Sequence, residues 1–547
     1  MQYCSKECQV AHRPYHKEEC RSKVGQDYWQ PLWVQQGRIP AFVYEDKESN
    51  GPWGVQRNVW PRHPAFDILK LAENEGQDHP EDLNLLFAAC GDLGNVVQTV
   101  VNLPDEWNHR LQLTVNDGDA EIIVRSVILL LIAVFVDDID QAIECMIHVW
   151  YSAFIRESDS ELLQSLIKPM IDRVCNTIKD KDPESLRAKT WTRGNRSIKV
   201  VLKQRTWMTL PRMLDRVRQI KPIEAFASRR ATVLCRYRWD HRDGFMMKLP
   251  PKQRTAHLRY LLHGLLLPFG HNRVEFVVPN PFLYRMPAQW QGNDAVNPVF
   301  AWPLHDVLEA PGAASENDVY GKLFNYLYDH LRAFIDRINK SPTFFCLLQV
   351  NPFELDKCLP HGSYDRIDAT AITDKHRGFP IHALETLMPI LKNNKQNPHA
   401  TMIQFFETAV ESRLPKSGEL SKLDQDSAEL KHVKKIIAVT PSSSSICSWS
   451  PEVLIYPPLI DLYASHWEVF DQYLANEKFN ERVRPGTVMK QVNTIVPKFR
   501  YQLKFQEPLD AEYRRTVWRR FREPVDGKSV YLEWQKEDEE EKVKAER

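Results

Sequence analysis

Apolar and polar positions change period several times along the 547-residue chain, and the changes mark its elements. From Leu83, "LNLLFAACGDLGNVVQTVVNL" runs from an apolar stretch of strand length, through a glycine-containing turn, into a helical stretch with Val96, Val97, Val100 and Val101 on a shared face. Pro104 stops it. "RLQLTVNDGDAEIIVRSVILLLIAVF" then repeats strand, turn and helix: Leu111, Leu113 and Val115 alternate, and Asp117 and Asp119 stand at an acidic turn before the helix. Two successive units of this kind predict an α/β doubly wound sheet rather than a bundle or a sandwich.

Elsewhere the pattern is coarser. "PAFDILKLAENEG" reads as a short helix ended by Gly76, and helical periodicity runs from 140 to 230, with Leu162, Leu163, Leu166, Ile167 and Met170 along one stripe. A strand is expected at "VEFVV", and an amphipathic helix over 318–339 turns Leu323, Leu327, Leu331 and Phe334 inward. "SYDRIDATAITD", "HALETLMPILKNN" and "ATMIQFFETAV" return to strand, helix, strand, while "TIVPKFRYQLKF" and "KSVYLEWQK" predict two closing strands paired across the helix "AEYRRTVWRRF". The polar stretches "PKSGELSKLDQDSAELKHVKK" and "TPSSSSICSWSP" read as surface loop or linker. These patterns divide the chain into 1–22, a connector over 23–60, a first α/β part over 61–139, a helical and aromatic insertion over 140–340, and a second α/β part over 341–411. A polar and helical insertion over 412–485, closing strands over 486–535 and a charged tail over 536–547 complete it.

Composition narrows the function classes. Lys+Arg and Asp+Glu balance at 72 each, so no overall field draws the chain to nucleic acid or an anionic membrane. The longest apolar run, 127–136, is half the length of a membrane-crossing helix and reads as buried helix or strand. With no secretory signal pattern and with scattered cysteines in apolar surroundings, a cytoplasmic or nuclear protein with free thiols is expected. No nucleophile elbow, P-loop or HExxH occurs, and "DHRD" at 240–243 reads as an exposed loop.

The densest chemistry lies at the start, where "YCSKECQVAHRPYHKEEC" holds Cys4, Cys8, His16 and Cys20. Three thiols and an imidazole are a Zn²⁺ ligand set, and each pair is spaced by four residues, one helical turn. Two such pairs on facing short helices would converge on one tetrahedral ion. The segment resembles the second half of a MYND zinc finger. That resemblance implies two cross-braced sites, with Cys4 and Cys8 serving one ion and His16 and Cys20 the other, and a protein-interaction role. The family's two earlier cysteine pairs have no counterpart after Met1, so an N-terminally truncated finger is expected, the alternative being a tetrad rearranged around one ion. Arg13 stands where the family usually has a Trp on its peptide-facing surface.

The order of α/β units resembles a class I methyltransferase-like Rossmann fold. In that fold the first glycine turn contacts S-adenosylmethionine and an acid after the second strand bonds its ribose; the matching positions are Gly91 and Gly94, and Asp117 or Asp119. "CGDLGN" lacks the fuller glycine pattern of active methyltransferases, which favours a structural turn. A closer resemblance, over most of 60–410, is to fungal MYND-finger proteins carrying a domain of unknown function also found in the axonemal dynein preassembly factor. It implies a methyltransferase-like scaffold joined to an interaction finger. The expected work is therefore zinc-dependent protein interaction or assembly, and the alternative is an S-adenosylmethionine-dependent methyltransferase.

Overall fold

The computed structural model describes residues 5–43, 59–61, 63–216, 219–293, 297–312, 315–375, 378–413, 426–437, 450–523 and 527–537. Among them nine strands form one sheet: β1 (Leu83–Phe87), β2 (Leu111–Asn116), β3 (Leu186–Arg193), β4 (Arg196–Lys203), β5 (Thr343–Leu348), β6 (Arg366–Asp368), β7 (Thr401–Phe406), β8 (Thr487–Met489) and β9 (Val530–Lys536). Their spatial order is β8-β9-β7-β6-β1-β2-β5-β4-β3. Pairing is parallel from β7 through β6, β1, β2 and β5 to β4, and antiparallel where β9 lies between β7 and β8 and where β3 closes the other edge.

The central strands are apolar on both sides because both faces of the sheet are covered. Side chains alternate between two cores: Leu85 and Phe87 enter one, Leu86 and Ala88 the other, and Phe405 and Phe406 part in the same way. The first core is filled by α2 (Gly94–Val101), α3 (Ala120–Phe135), α4 (Ile139–Tyr151) and the long α7 (Val319–Lys340), whose Leu323, Leu327, Leu331 and Phe334 are buried as the periodicity predicts. The run 127–136 is the buried body of α3. The second core takes α8 (Phe379–Leu387) together with Phe470 and Phe479. The expected β1–α2 and β2–α3 units are present, in register with Leu83 opposite Leu111 and Leu85 opposite Leu113.

Several local expectations need correction. The supposedly helical stretch 140–230 contains the hairpin β3–β4, turned at Gly194, which adds two strands beside β5. Its alternating "SIKVVLK" carried the strand period. "VEFVV" contributes only Val278, in a two-residue strand with Pro279 paired to Phe154–Ile155. Residues 64–70 are irregular and 71–75 a turn, not a helix, and "TIVPKFRYQLKF" makes no strand; β9 pairs instead with β7 and with β8. The polar stretch after 414 includes α9 (Ala428–Ile437), an amphipathic helix burying Leu430, Val433 and Ile436, while 414–425 and 438–449 lie outside the described residues.

Several polar groups inside find close partners. Arg366, fully buried in β6, donates to Glu75 Oε2 (2.8 Å) and to the carbonyls of Asp365 and Leu69. His257 meets the Tyr320 hydroxyl at 2.8 Å, and burial pushes its imidazole down to about 3. Above pH 6.5 this histidine is neutral folded and unfolded. Below that, only the unfolded chain takes the proton, so native stability is lost as pH falls. Asp92 and Asp67, pushed up to about 6 by burial, act in the opposite sense between pH 6 and 4, so the histidine contribution is read by difference. Urea unfolding at pH 7 and pH 5 should show His257→Gln losing about 2 kcal/mol less on acidification than the parent chain; equal losses would exclude a buried neutral imidazole.

Candidate functional site

In an open α/β sheet a ligand crevice forms outside the carboxyl ends of the strands where the strand order reverses. Here that point lies between β1 and β6. The turn after β1 needs a left-handed residue, which Gly91 supplies at φ +63°. Its N–H donates to Asp117 Oδ2 (3.1 Å), and the second oxygen of Asp117 accepts from Asp119 N–H (2.8 Å). Burial pushes the Asp117 carboxyl up. Asp119 caps α3 by accepting from Glu121 N–H at 2.9 Å. Asp92 accepts from Gly94 N–H (2.8 Å) and from Trp150 Nε1 (3.3 Å). On the far wall Asp368 takes Asn95 Nδ2 (2.7 Å) on one oxygen, and Thr370 N–H (2.9 Å) and hydroxyl (2.6 Å) on the other.

A strap, residues 59–61 and 63–69, crosses this crevice. The Val59 carbonyl accepts from buried Arg125 (2.7 Å), and Trp60 Nε1 donates to the Trp150 carbonyl (2.8 Å). Pro61 lies 3.9 Å from where a Cβ on Gly91 would stand, and Ala65 Cβ lies 3.2 Å from a Cβ on Gly94. The His63 ring is 5.3 Å from that of Phe405 at the end of β7. Phe66 N–H donates to Asn95 Oδ1 and Ile68 N–H to Thr99 Oγ1, both at 3.1 Å, which lays the strap along α2. The structure thus gathers Gly91, Gly94, Asp117 and Asp119 at one edge and covers the glycines with the chain itself. Sequence reasoning missed the strap. Its only signal is a Pro- and Trp-bearing stretch, "VWPRHPAF", ahead of the first strand.

Away from the crevice residues, α1 (Lys6–Cys20) is one continuous helix, not two facing short ones. Cys4 lies outside the described residues, and Cys8, His16 and Cys20 all fall on α1. His16 and Cys20 stand one turn apart and share a cavity of about 250 Å³ with Thr255, Arg259 and Asp318. The His16 ring meets Phe269 edge-on at 6.0 Å. Positions 8 and 16 are separated by about 12 Å of helical rise, so the two cysteine- and histidine-bearing pairs cannot close on one ion while α1 is intact. Among the described residues no cluster of three metal-binding side chains occurs.

The connector behind α1 is tied to the body. Arg38 grips Asp240 with both terminal nitrogens (2.5 and 2.7 Å), Ala41 N–H reaches the same carboxylate (2.7 Å), and Leu32 N–H donates to Asp243 (3.0 Å). Arg254 stacks over Trp29 at 4.8 Å. "DHRD" is therefore part of a helix, Trp239–Met246, whose two acids are buried clamps rather than an exposed loop.

Asp117→Asn keeps one acceptor and turns an amide donor toward the second backbone N–H. Thermal and urea unfolding should show a loss of about 1–3 kcal/mol; an unchanged midpoint would mean that Asp117 does not hold the turn.

Comparison with known families places a MYND finger at residues 1–20 and a domain of unknown function (DUF4470) at residues 59–155. The curated proteins and the solved structures give no match. The second match begins at Val59, the first residue of the strap, and runs through β1, α2, β2, α3 and α4. The MYND finger implies zinc binding and protein–protein interaction. No helix among the described residues is long and apolar enough to cross a membrane. The chain carries a MYND finger ahead of a DUF4470 domain set in a large mixed α/β sheet.

Proposed function

We propose that this chain is an interaction or assembly protein, in which a zinc-holding finger presents a partner-binding surface from a methyltransferase-like body that serves as scaffold. The single observation that carries the scaffold reading is the strap. S-adenosylmethionine does not fit the crevice: Pro61 and Ala65 stand against the two glycines that would have to admit it. Asp117 already serves the Gly91 and Asp119 N–H groups, and Asp119 caps α3. The methyltransferase likeness itself is supported by the sheet, since a run of parallel strands with one antiparallel strand inserted next to an edge is the arrangement of that fold class.

For the finger, the proposed ligands are Cys4 and Cys8 for one ion and His16 and Cys20 for the other. The pairing is supported by the separation of Cys8 from His16 along α1 and by the shared face of His16 and Cys20. Thiolate and neutral imidazole suit Zn²⁺, whose contribution in such a module is to fix local structure. His16 and Cys20 border the body, so the finger's fold and its docking are linked.

Metal analysis of the purified chain should find zinc, and Cys20→Ser should lower it; equal, negligible zinc in both would overturn the finger assignment. Calorimetric titration with S-adenosylmethionine up to millimolar concentration should give no saturable heat; saturable binding would overturn the scaffold reading and restore the methyltransferase alternative.

A further inference from the structure

The nine-stranded sheet ends on two unlike edges. One is β8, three residues long; the other is β3, eight residues long, which is about 27 Å of extended backbone. β3 holds no proline, and its register runs without a bulge from Leu186 opposite Lys203 to Arg193 opposite Arg196. Short strands, bulges and prolines are ordinary ways to close an edge against other chains, and β3 uses none of them.

The direction of the main-chain groups along β3 follows from its neighbours. The Val201 carbonyl accepts from the N–H of Gln349, just after β5, at 3.0 Å and so points away from β3. The facing pair Ala188 and Val201 therefore exchanges no bonds, and the N–H and C=O groups of Ala188, Thr190 and Thr192 point off the sheet. The Thr192 and Ser197 hydroxyls, 3.1 Å apart, fit the closer approach of such a pair. Among the described residues none of these outward groups has a hydrogen-bond partner.

The two faces of the strand differ. Arg187, Lys189, Trp191 and Arg193 lie on the side of α6 (Gln204–Asp215), whose Trp207 meets the Trp191 ring at 6.0 Å and donates Nε1 to the Arg187 carbonyl at 2.9 Å. α6 is backed by α5 (Lys168–Ile178), where Cys175 Sγ donates to the Trp207 carbonyl at 3.2 Å, so the edge stands on a packed base. Leu186, Ala188, Thr190 and Thr192 alternate onto the other side and are exposed.

The charge of the hairpin has one sign. Residues 186–203 carry Arg187, Lys189, Arg193, Arg196, Lys199 and Lys203 and no acid. Asp137 takes Arg193 and Glu184 takes Lys203 (3.0 Å), but among the described residues no carboxylate pairs with Lys189, Lys199 or Arg196. A second copy of this chain would set the row of cations against itself, which is unfavourable across paired strands. An acidic strand would be matched by it.

We propose that β3 is a docking edge for an extended acidic segment of a partner protein, which adds to the sheet as a further strand. Its backbone bonds to Ala188, Thr190 and Thr192, its acids stand beside Arg187 and Lys189, and its alternate residues, β-branched, stand beside Thr190 and Thr192. The proposal deepens the interaction reading above but uses no zinc ligand, so metal analysis and the test of this edge fail separately.

The test uses the full chain and a fluorescein-labelled peptide of alternating Glu and Val, followed by fluorescence anisotropy. Saturable binding is expected, weakened by added salt. The same peptide with Lys in place of Glu, and the Glu peptide N-methylated at alternate residues, should both bind at least about tenfold more weakly, since one loses the charge match and the other the donors. Thr190→Pro removes an outward N–H and no bond to β4, so it should weaken binding about tenfold with a thermal midpoint like that of the parent chain. Lys189→Glu should weaken it about fivefold. The N-methylated peptide reads the same contact on the unaltered chain should the proline variant fail to fold. Absence of saturable binding would overturn the proposal, as would equal affinity for the N-methylated or the Lys peptide. Sedimentation showing that the chain alone dimerises and that Thr190→Pro abolishes the dimer would overturn it in favour of a second copy at this edge.

Discussion

The carboxyl edge of the parallel strands depends on a few buried carboxylates that accept backbone N–H groups no strand or helix satisfies. Asp117, Asp92 and Asp368 each take two or three donors, and together they fix the turn after β1, the start of α2 and the loop after β6. A buried donor left without a partner costs more than a typical hydrogen bond contributes, so these acids set the shape of the edge. Once they are in place, the glycines between them offer a narrow channel. The strap fills it with Pro61, Ala65 and Phe66, held by side chains of α2 and α3 and by a backbone carbonyl of α4.

That arrangement changes what the familiar features of the edge mean. A glycine turn ahead of a helix is ordinarily read as an invitation to a phosphate or nucleotide, because a missing Cβ permits close approach. Here the approach is made by the chain's own side chains, Pro61 and Ala65. An acid after the second strand is ordinarily read as a ribose ligand, yet Asp117 is spent on two amides. The same residue types at the same spacing therefore serve packing, and the match to a domain of unknown function that starts at the strap joins the strap to the two α/β units it covers.

The finger and the body meet through a comparable economy of buried acids. Asp240 and Asp243 hold the connector, and Asp318 receives Arg259 and the Phe269 N–H on the wall that faces His16 and Cys20. The connector behind α1 is thus fixed to the body, with Arg254 stacked over Trp29.

Periodicity and ligand chemistry were legible from the residues alone. β1, β2, α2, α3 and α7 follow directly from runs of period two and 3.6, and the cysteine and histidine spacing singled out the finger, because both signals are local. The hairpin β3–β4 was hidden inside a helical neighbourhood, and the acids of "DHRD" looked exposed because their partners, Arg38, Ala41 and Leu32, stand some two hundred residues away. The sequence by itself thus determined β1, β2 and the helices that follow them and where thiol chemistry resides, while β5, which pairs with β2, was not read from it. Only the tertiary structure decided that the glycine turn is closed by residues 59–61 and 63–69 and that, among the described residues, no acid pairs with buried Arg229, since both depend on which distant side chains share a small volume, a relation that no local pattern encodes.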